Sequence, residues 1–350
     1  MESMTKTDTR DVASTVAQIR RLAGRGCEMA RVAVPDERAA RALKEIVSQS
    51  PIPIMADIHF DHRLTLLSMD AGVHGLRINP GNIGGEDKVK AVADKSLEKD
   101  IPVRVGVNAG SLAKGGGDRP RKSLRLAEAM VEAGLNEVEI LERRGVKEIL
   151  FSMKAFDVGV TVEGCRLAAK SCPYPFHAGI TEAGPAPEGM IRSSAGLGIL
   201  LAEGLADTIR VSLTDEPEAE VDTAYSLLAA MGLRRRGPVL VSCPTCGRCE
   251  LDLRPVASAV REGLREIRSP ITVAVMGCPV NGPGEAKHAD VGVAGGRGKA
   301  VLFMKGEVVR SLKEDEMVEA LLDACRRIDL ERGQGRSGSG LDSAENEVVT

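Results

Sequence analysis

The 350-residue sequence contains no tryptophan, two tyrosines and five phenylalanines, so aromatic residues make up only 2% of the chain. Hydrophobic residues nevertheless account for 43%, which excludes disorder for most of the chain and leaves Val, Ile, Leu, Ala and Met to build the core. An aliphatic core of this kind suits α/β packing. At this length we expect about two domains.

The sequence also lacks a long apolar run and a strong charge imbalance. No stretch approaches the roughly 18 apolar residues of a membrane helix, and the polar segment from Met1 to Asp11 carries no export signal. The formal net charge of −3 and pI near 6.1 give no overall attraction to nucleic acid or to an anionic membrane. Eight cysteines without an export signal favour reduced thiols or a metal over disulfides, so we predict a cytoplasmic protein.

Short β-branched runs alternate with amphipathic stretches from residue 12 to about 235. The predicted strands are Ala30–Val34, Ile54–Ile58, Gly75–Ile78, Val103–Val107, Glu148–Met153, Phe176–Ile180 and Asp207–Leu213. Strands separated by helices pair in parallel, and seven such units predict a (β/α)8 TIM-type barrel with a truncated first strand.

The pattern breaks at Arg236-Gly237-Pro238, so we predict a barrel domain over residues 1–236 and a small α/β domain over 237–330. The predicted elements of the second domain are a strand over Val239–Ser242, a helix over Leu251–Ile267, a strand over Ile271–Met276 and a further segment over Val291–Phe303. Residues 331–350 are rich in Gly and polar residues, and we expect a disordered tail there.

Three cysteines of the second domain have the spacing of metal ligands. Cys243 and Cys246 are separated by two residues, and Cys278 follows after 31 intervening residues. Glu285 follows in a Gly- and Pro-rich loop and is a candidate for an exchangeable fourth ligand. With Cys249 included, the same loops fit a structural zinc site, and spacing alone does not separate zinc from an iron-sulfur cluster. The absence of Cys-x3-Cys-x2-Cys argues against the radical class of iron-sulfur enzymes.

Cationic residues recur at the carboxyl ends of the predicted barrel strands, where barrel active sites lie. Five cations in register predict a bound anion, because they would otherwise repel one another, and Arg favours phosphate geometry. We therefore predict a phosphorylated substrate, with more than one phosphoryl group. The cations are Arg31, Arg77, Arg104, Lys154 and Arg210, and the polar residues at the same ends are Asp57, His59, Asn79, Asn108, His177, Glu182 and Ser212. His59 and His177 fit either a functional role or an internal hydrogen bond.

From Ser3 to about Arg327 the chain resembles the 4-hydroxy-3-methylbut-2-enyl diphosphate synthase family. The motifs that carry the resemblance are Ser3–Thr7, Ala56–Phe60, Leu76–Gly84, Val107–Ser111, Gly179–Gly184, Cys243–Arg248 and Val280–Glu285. These enzymes are oxidoreductases of isoprenoid biosynthesis by the methylerythritol phosphate pathway. With a 4Fe-4S cluster they reductively open and dehydrate 2-C-methyl-D-erythritol 2,4-cyclodiphosphate to 4-hydroxy-3-methylbut-2-enyl diphosphate. The resemblance thus favours iron over zinc.

By position, the resemblance implies that Cys243, Cys246, Cys278 and Glu285 bind the cluster, and that Glu182 is an acid/base near the substrate. Cys249 has no counterpart. The implied diphosphate pocket consists of Arg31, Arg77, Asn79, Arg104, Asn108, Lys154, Arg210 and Ser212. The resemblance also implies ferredoxin or flavodoxin as electron donor and a homodimer in which the cluster domain of one subunit caps the barrel of the other.

Members of this family carry a further N-terminal strand before the motif that begins at Ser3. We expect either a start residue further upstream or a barrel closed by a shortened strand, and restored upstream residues should then raise the melting temperature.

Two alternative functions come from other interpretations of the same residues. One is a zinc-stabilised barrel transferase acting on a phosphorylated or pterin-like substrate. The other is an iron-sulfur carrier, although a carrier has no use for a diphosphate pocket.

Overall fold

The computed structural model describes residues 1–58, 61–79, 83, 85–111, 119–278, 284 and 286–337. His59 and Glu285 from the predicted site lie outside these residues. The chain divides into two compact units, Met1–Leu227 and Leu228–Thr350. No helix within the described residues is long and apolar enough to cross a membrane.

The first unit alternates strands and helices, as the sequence predicts. Its strands are β1 (Glu2–Met4), β2 (Met29–Ala33), β3 (Ile54–Asp57), β4 (Gly75–Ile78), β5 (Val103–Asn108), β6 (Ile149–Lys154), β7 (His177–Ala178) and β8 (Thr208–Ile209). Its helices are α1 (Val12–Arg25), α2 (Glu37–Gln49), α3 (His62–Asp70), α4 (Glu86–Lys99), α5 (Arg119–Arg143), α6 (Val158–Ala168), α7 (Glu188–Ala202) and α8 (Pro217–Ala230). A short 3-10 turn, Ala109–Ser111, follows β5.

All strand pairs in this unit are parallel within the described residues. Strands β1 to β6 form one sheet in chain order, β7 pairs with β8, and a bridge between Phe151 and Phe176 connects β6 to β7. Parallel strands in sequential order with intervening helices are the architecture of a TIM-type barrel, so the predicted fold class is confirmed. The first strand, β1, is three residues long and pairs with Met29–Arg31 of β2.

The helices begin where aspartate side chains cap them. Asp11, Asp36 and Asp157 each accept a hydrogen bond from a backbone N–H in the first turn of α1, α2 and α6. Each such cap satisfies a donor that the helix itself cannot, and contributes about 1 kcal/mol. The helices then cover the sheet with aliphatic side chains, and residues such as Ile19, Leu43 and Ile54 are fully buried.

Two predicted strands are shorter than the sequence indicates. The runs Phe176–Ile180 and Asp207–Leu213 contribute only the two-residue strands β7 and β8. Backbone hydrogen bonds from Asp207 to Phe176 and from Arg210 to Ala178 extend the contact, but a full ladder does not form there. The apolar character of these runs reflects burial, which a short strand and its flanking loops share.

The second unit is a small α/β domain. Its strands are β9 (Val239–Ser242), β10 (Thr272–Met276), β11 (Val291–Gly296), β12 (Lys299–Met304) and β13 (Glu307–Lys313), and its helices are α9 (Leu253–Gly263) and α10 (Met317–Ser337). The five strands form one sheet in the order β13-β12-β11-β10-β9. The helices contribute Leu253, Val260 and Leu321 to a core against that sheet.

The predicted segment Val291–Phe303 is a hairpin. Strands β11 and β12 pair antiparallel, and Arg297 and Gly298 between them both have positive φ. Two-residue hairpin turns of this kind require that conformation. Helix α10 continues to Ser337, so the expected disorder does not begin at residue 331, and residues 338–350 lie outside the described residues.

Candidate active site

The interior of the barrel is charged. Glu2 on β1 binds Arg104 on β5 and lies 3.4 Å from His177 on β7, and strands so far apart in the sheet can meet only across the interior. Arg31, Arg77 and Lys154 join the same cluster and are at most 8% exposed. The register brings Asp57, Arg77 and Arg104 into neighbouring positions on β3, β4 and β5. Parallel strands thus place the predicted cations side by side.

Three carboxylates pair with these cations. Asp57 Oδ1 accepts a hydrogen bond from Arg77 at 3.1 Å, and its other oxygen lies 3.5 Å from Arg31 Nε. Glu2 accepts two hydrogen bonds from Arg104, at 2.9 and 2.5 Å, and lies 3.8 Å from Arg31. Glu220 lies 3.6 Å from Arg210 Nε. Buried charges persist only with such partners.

The sequence-based interpretation missed Glu2 and Glu220. Each is far in sequence from the cation with which it pairs, so no local spacing indicates the contact. The one available signal was their position, since Glu2 directly precedes the Ser3–Thr7 motif and Glu220 follows the last predicted barrel strand by a few residues.

The titration of the cluster reflects burial and mutual repulsion. Burial alone raises the pKa of Glu2, but the charges of Arg104 and Arg31 outweigh it, and the pKa lies well below its usual range. Burial lowers the pKa of His177 well below its ordinary value, and Arg104 and Lys154 lower it further. His177 Nδ1 lies 2.9 Å from the hydroxyl of Thr208. This hydrogen bond fits an internal role for a neutral ring.

Lys154 differs from the other cations. Its side chain is 5% exposed, and its Nζ has no hydrogen-bond partner within the described part of the chain. Burial lowers its pKa well below the ordinary value, followed by the positive charge of Arg31. A buried donor without an acceptor is rare in folded proteins, so the site is incomplete on its own.

The remaining predicted substrate residues lie at the ends of the same strands. Asn79 follows β4 and is buried, whereas Asn108 at the end of β5 and Ser212 after β8 are half-buried. Glu182, in the loop after β7, is exposed and has a φ of 56°. A non-glycine residue in the left-handed region is uncommon and often marks a functional position.

Gly106 and Gly179 allow the long cations to fit. A methyl group on Gly106 would lie 2.4 Å from Arg77 Nε. On Gly179 it would lie 2.5 Å from the carbonyl oxygen of Arg210 and 3.3 Å from Lys154 Nζ. Both glycines therefore create space for charged side chains inside the barrel.

The predicted metal ligands lie in two loops at one edge of the second sheet. Cys243 directly follows β9, Cys278 lies two residues after β10, and these neighbouring strands run parallel. The backbone N–H of Glu250 donates to the carbonyl of Gly277 at 2.9 Å, which folds the first cysteine loop back onto the second. Thr245, between Cys243 and Cys246, has a φ of 54°, which is strained for a β-branched residue.

The side chain of Cys249 also lies beside Gly277, between the two cysteine loops. A methyl group on Gly277 would lie 2.3 Å from Cys249 Sγ and 3.7 Å from Cys243 Sγ. The Cys249 thiol donates to the carbonyl of Leu251 at 3.2 Å. Cys249 therefore packs against the backbone between the strands, with a structural contact of its own.

The donor set suits a thiolate-bound metal centre. Cys278 is buried, Cys243 is half-buried and Cys246 is exposed. Backbone and side-chain hydrogen bonds from Arg248 lower the pKa of the Cys246 thiol, which favours the thiolate that metals bind. Among the described residues no three candidate side chains stand close enough to form a metal site, and Glu285 is not among them. The three thiols thus suit such a centre in their chemistry and in the placement of their loops on neighbouring strands, although within the described residues they do not stand close enough together to form it.

Comparison with protein families covers nearly all of the first unit and most of the second. The GcpE TIM-barrel domain matches residues 1–225, and the GcpE protein C-terminal domain matches residues 239–327. The chain belongs to the GcpE family. The predicted family resemblance is thereby confirmed.

Three relatives are each named 4-hydroxy-3-methylbut-2-en-1-yl diphosphate synthase (flavodoxin). The protein from Dehalococcoides mccartyi is 54% identical over 92% of this chain and 91% of its own. Those from Geobacter sulfurreducens and Bacillus velezensis are 52% and 48% identical, over 94% and 92% of this chain and 92% and 85% of their own. These relatives do not favour the transferase alternative.

A solved dihydropteroate synthase from Yersinia pestis aligns with 66% of this chain and 92% of its own, at 12% identity and a TM-score of 0.47. This likeness is too low to indicate an activity.

Proposed function

We propose that this GcpE-family chain is an oxidoreductase that converts 2-C-methyl-D-erythritol 2,4-cyclodiphosphate into 4-hydroxy-3-methylbut-2-enyl diphosphate, in isoprenoid biosynthesis. Two electrons enter, the ring C–O bond breaks, and a hydroxyl leaves as water after it takes up a proton. Family membership and the names of relatives about 50% identical over nine-tenths of the chain support this activity. Their names also support flavodoxin as the electron donor, with ferredoxin as the other candidate.

The observation that carries the proposal is the charge imbalance inside the barrel. Among the described residues, the five predicted cations face three carboxylates, Glu2, Asp57 and Glu220, so positive charge remains for an anionic ligand. A diphosphate supplies that charge, and guanidinium groups bind its oxygens in pairs. The proposed substrate residues are Arg31, Arg77, Asn79, Arg104, Asn108, Lys154, Arg210 and Ser212. Residues 1–236 form the substrate domain.

For the second domain, over residues 237–330, we propose a 4Fe-4S cluster held by Cys243, Cys246, Cys278 and Glu285. When bound, the cluster supplies the electrons and an iron with an exchangeable ligand that acts as a Lewis acid. The three thiols come from adjoining loops of neighbouring strands, which supports a shared site. The turn strained at Thr245 supports it too, because functional loops often hold such conformations.

Glu182 is the proposed acid that gives a proton to the leaving hydroxyl. Its exposure on the loop after β7 keeps it outside the buried charge cluster, and its left-handed backbone fixes the loop at the carboxyl end of the barrel. We also propose a cytoplasmic homodimer in which each cluster domain serves the barrel of the other subunit. This assembly rests on the family resemblance.

Metal analysis and turnover of anaerobically purified protein test the proposal. We expect iron with sulfide, and conversion of the cyclic diphosphate with an artificial reductant. Cys246→Ser should lose iron and activity together. Lys154→Met should keep its iron and raise KM by about tenfold, the equivalent of one lost charged contact. Lys170→Met, at an exposed lysine of the same unit, is the matched control. Stoichiometric zinc without sulfide would contradict the proposal.

A further inference from the structure

The amine of Lys154 occupies an unusual environment at the end of β6. It is buried, and no acceptor within the described residues binds it. Gly179, which directly follows β7, lies close to this amine. Gly179 has no side chain that could accept a hydrogen bond from it. The sequence thus places a long cation where no group in the described part of the chain accepts a hydrogen bond from its amine.

The groups around Lys154 are mostly positive. The charged and titratable side chains that face it are Glu2 of β1, Arg31 of β2, Arg104 of β5, Cys165 of α6, His177 of β7 and Arg210 after β8. Three guanidiniums outnumber one carboxylate, and that carboxylate is already bound to Arg104. Another positive charge at Lys154 is therefore repelled in the ligand-free barrel.

A bound diphosphate reverses this balance. Its oxygens supply both the missing acceptor and the missing negative charge, so the ammonium form of Lys154 becomes favourable. The proton comes from solvent, forms the third N–H bond of the ammonium group and stays there while the anion is bound. No other bond forms or breaks in this step.

We propose that the barrel takes up a proton when it binds a diphosphate, and that the Lys154 amine is the group that binds it. This inference rests on the proposed function for the identity of the anion. By linkage, affinity must then fall as the pH rises, because deprotonation removes the form that binds. The slope is limited to the pH range over which the free amine is neutral and the bound amine is charged.

Calorimetric titration of inorganic pyrophosphate into the full-length chain tests the proposal. The same titration is run in buffers of equal pH and different ionisation enthalpy, and the slope of the observed enthalpy gives the number of protons taken up. Pyrophosphate itself exchanges protons, so the difference between variants is the informative quantity. We expect wild type to take up about one proton more than Lys154→Met.

Three further variants separate charge from proton linkage. Lys154→Arg is charged in both states, so it should bind pyrophosphate without the extra proton. His177→Asn removes the other group near the site that could take up the proton, and this variant should keep the proton uptake. Lys170→Met should behave like wild type.

Binding by wild type and Lys154→Arg with equal proton uptake would overturn the linkage and leave the diphosphate site intact. Loss of the proton uptake in His177→Asn would likewise overturn the assignment of the proton to Lys154 and leave the diphosphate site intact. A wild-type chain that does not bind pyrophosphate would overturn the diphosphate site itself, and this inference with it. Should Lys154→Met fail to fold, the comparison with Lys154→Arg decides.

Discussion

Glu2 on the first barrel strand and Arg104 on the fifth form a bidentate ion pair across the interior of the barrel. The two hydrogen bonds measure 2.9 and 2.5 Å, and both side chains are almost fully buried. Since the same carboxylate approaches Arg31 and His177, it acts as an internal anion within a cationic cluster. The ligand-free barrel thereby keeps its cations close together before a substrate arrives.

Replacing Glu2 by glutamine should therefore move stability and anion binding in opposite directions. The loss of the carboxylate leaves Arg104 with an uncompensated buried charge, which costs about 3 kcal/mol of unfolding free energy. The same loss raises the positive potential of the pocket, so pyrophosphate should bind about tenfold more tightly. Chemical denaturation and calorimetry measure the two effects.

The matched control is Glu139→Gln, which removes an exposed ion pair with Arg143 within one helix. That change should alter stability by less than about 0.5 kcal/mol and leave pyrophosphate binding unchanged. Weaker pyrophosphate binding by Glu2→Gln would show that the carboxylate positions Arg104 for the ligand and does not compete with it.

A second buried carboxylate, that of Glu220, connects the first strand of the barrel to the segment that follows its last strand. Glu220 of α8 is fully buried, accepts hydrogen bonds from Ser3 Oγ at 2.9 Å and Leu213 N at 3.0 Å, and lies 3.3 Å from Lys6 Nζ. We expect Glu220→Ala to destabilise the protein by about 3 kcal/mol, because it leaves buried donors unpaired. Ser3→Ala should cost about 1 kcal/mol.

A double-mutant cycle tests whether these two residues act together. The Ser3→Ala change should cost much less when Glu220 is already alanine, since the hydrogen bond is then absent. Additive losses in the double variant would mean that Ser3 stabilises β1 independently of Glu220.

The sequence predicted those features that follow from local pattern. The bounds of β4 and β9 match the predicted strands, because Gly75–Ile78 and Val239–Ser242 are bounded by turn residues. The cations at strand ends also follow from the pattern, since parallel strands bring their carboxyl ends together. Spatial convergence of Arg31, Arg77, Arg104 and Lys154 within the barrel agrees with that prediction.

The features that escaped prediction depend on long-range contacts. Glu2 and Arg104 are 102 residues apart, and Glu220 and Ser3 are 217 apart, so no spacing rule connects them. The roles of the site residues stay predictions, because they depend on ligands and on Glu285, which lies outside the described residues.

Gly277 has a specific function in the cysteine loops. A side chain there would collide with Cys249 Sγ, which lies 2.3 Å from the position of the added carbon. We predict that Gly277→Ala displaces the first cysteine loop and lowers the iron and sulfide content of anaerobically reconstituted protein several-fold, because the displacement moves Cys243 and Cys246 away from the loop that carries Cys278. Iron analysis and visible absorbance measure the loss.

Two variants make this prediction specific. Gly247→Ala lies in the same loop and has no atom within 4 Å of the added carbon, so it should load the cluster normally. The double variant Cys249→Ala, Gly277→Ala removes the colliding sulfur and should recover cluster loading. Without such recovery, Cys249 is a ligand in its own right, or Gly277 acts through its backbone.

Glu137 on α5 is a buried carboxyl group outside the proposed site. It is 6% exposed, its Oε1 has no hydrogen-bond partner among the described residues, and burial raises its pKa to about 7. A raised carboxyl pKa means that the folded state prefers the protonated form. Its contribution to stability is complete below the ordinary pKa of 4.5 and is lost as the pH rises through about 7.

Glu137→Gln should remove this dependence, because the amide stays neutral at every pH. Near the ordinary pKa the variant and wild type should be about equally stable, whereas at about pH 8 the variant should be more stable by on the order of 3 kcal/mol. Urea unfolding followed by circular dichroism at several pH values measures the difference. Glu128→Gln, at an exposed position of the same helix, should follow wild type throughout. A constant offset between Glu137→Gln and wild type would mean that Glu137 does not titrate in this range, and that a hydrogen bond to its carboxylate compensates for burial.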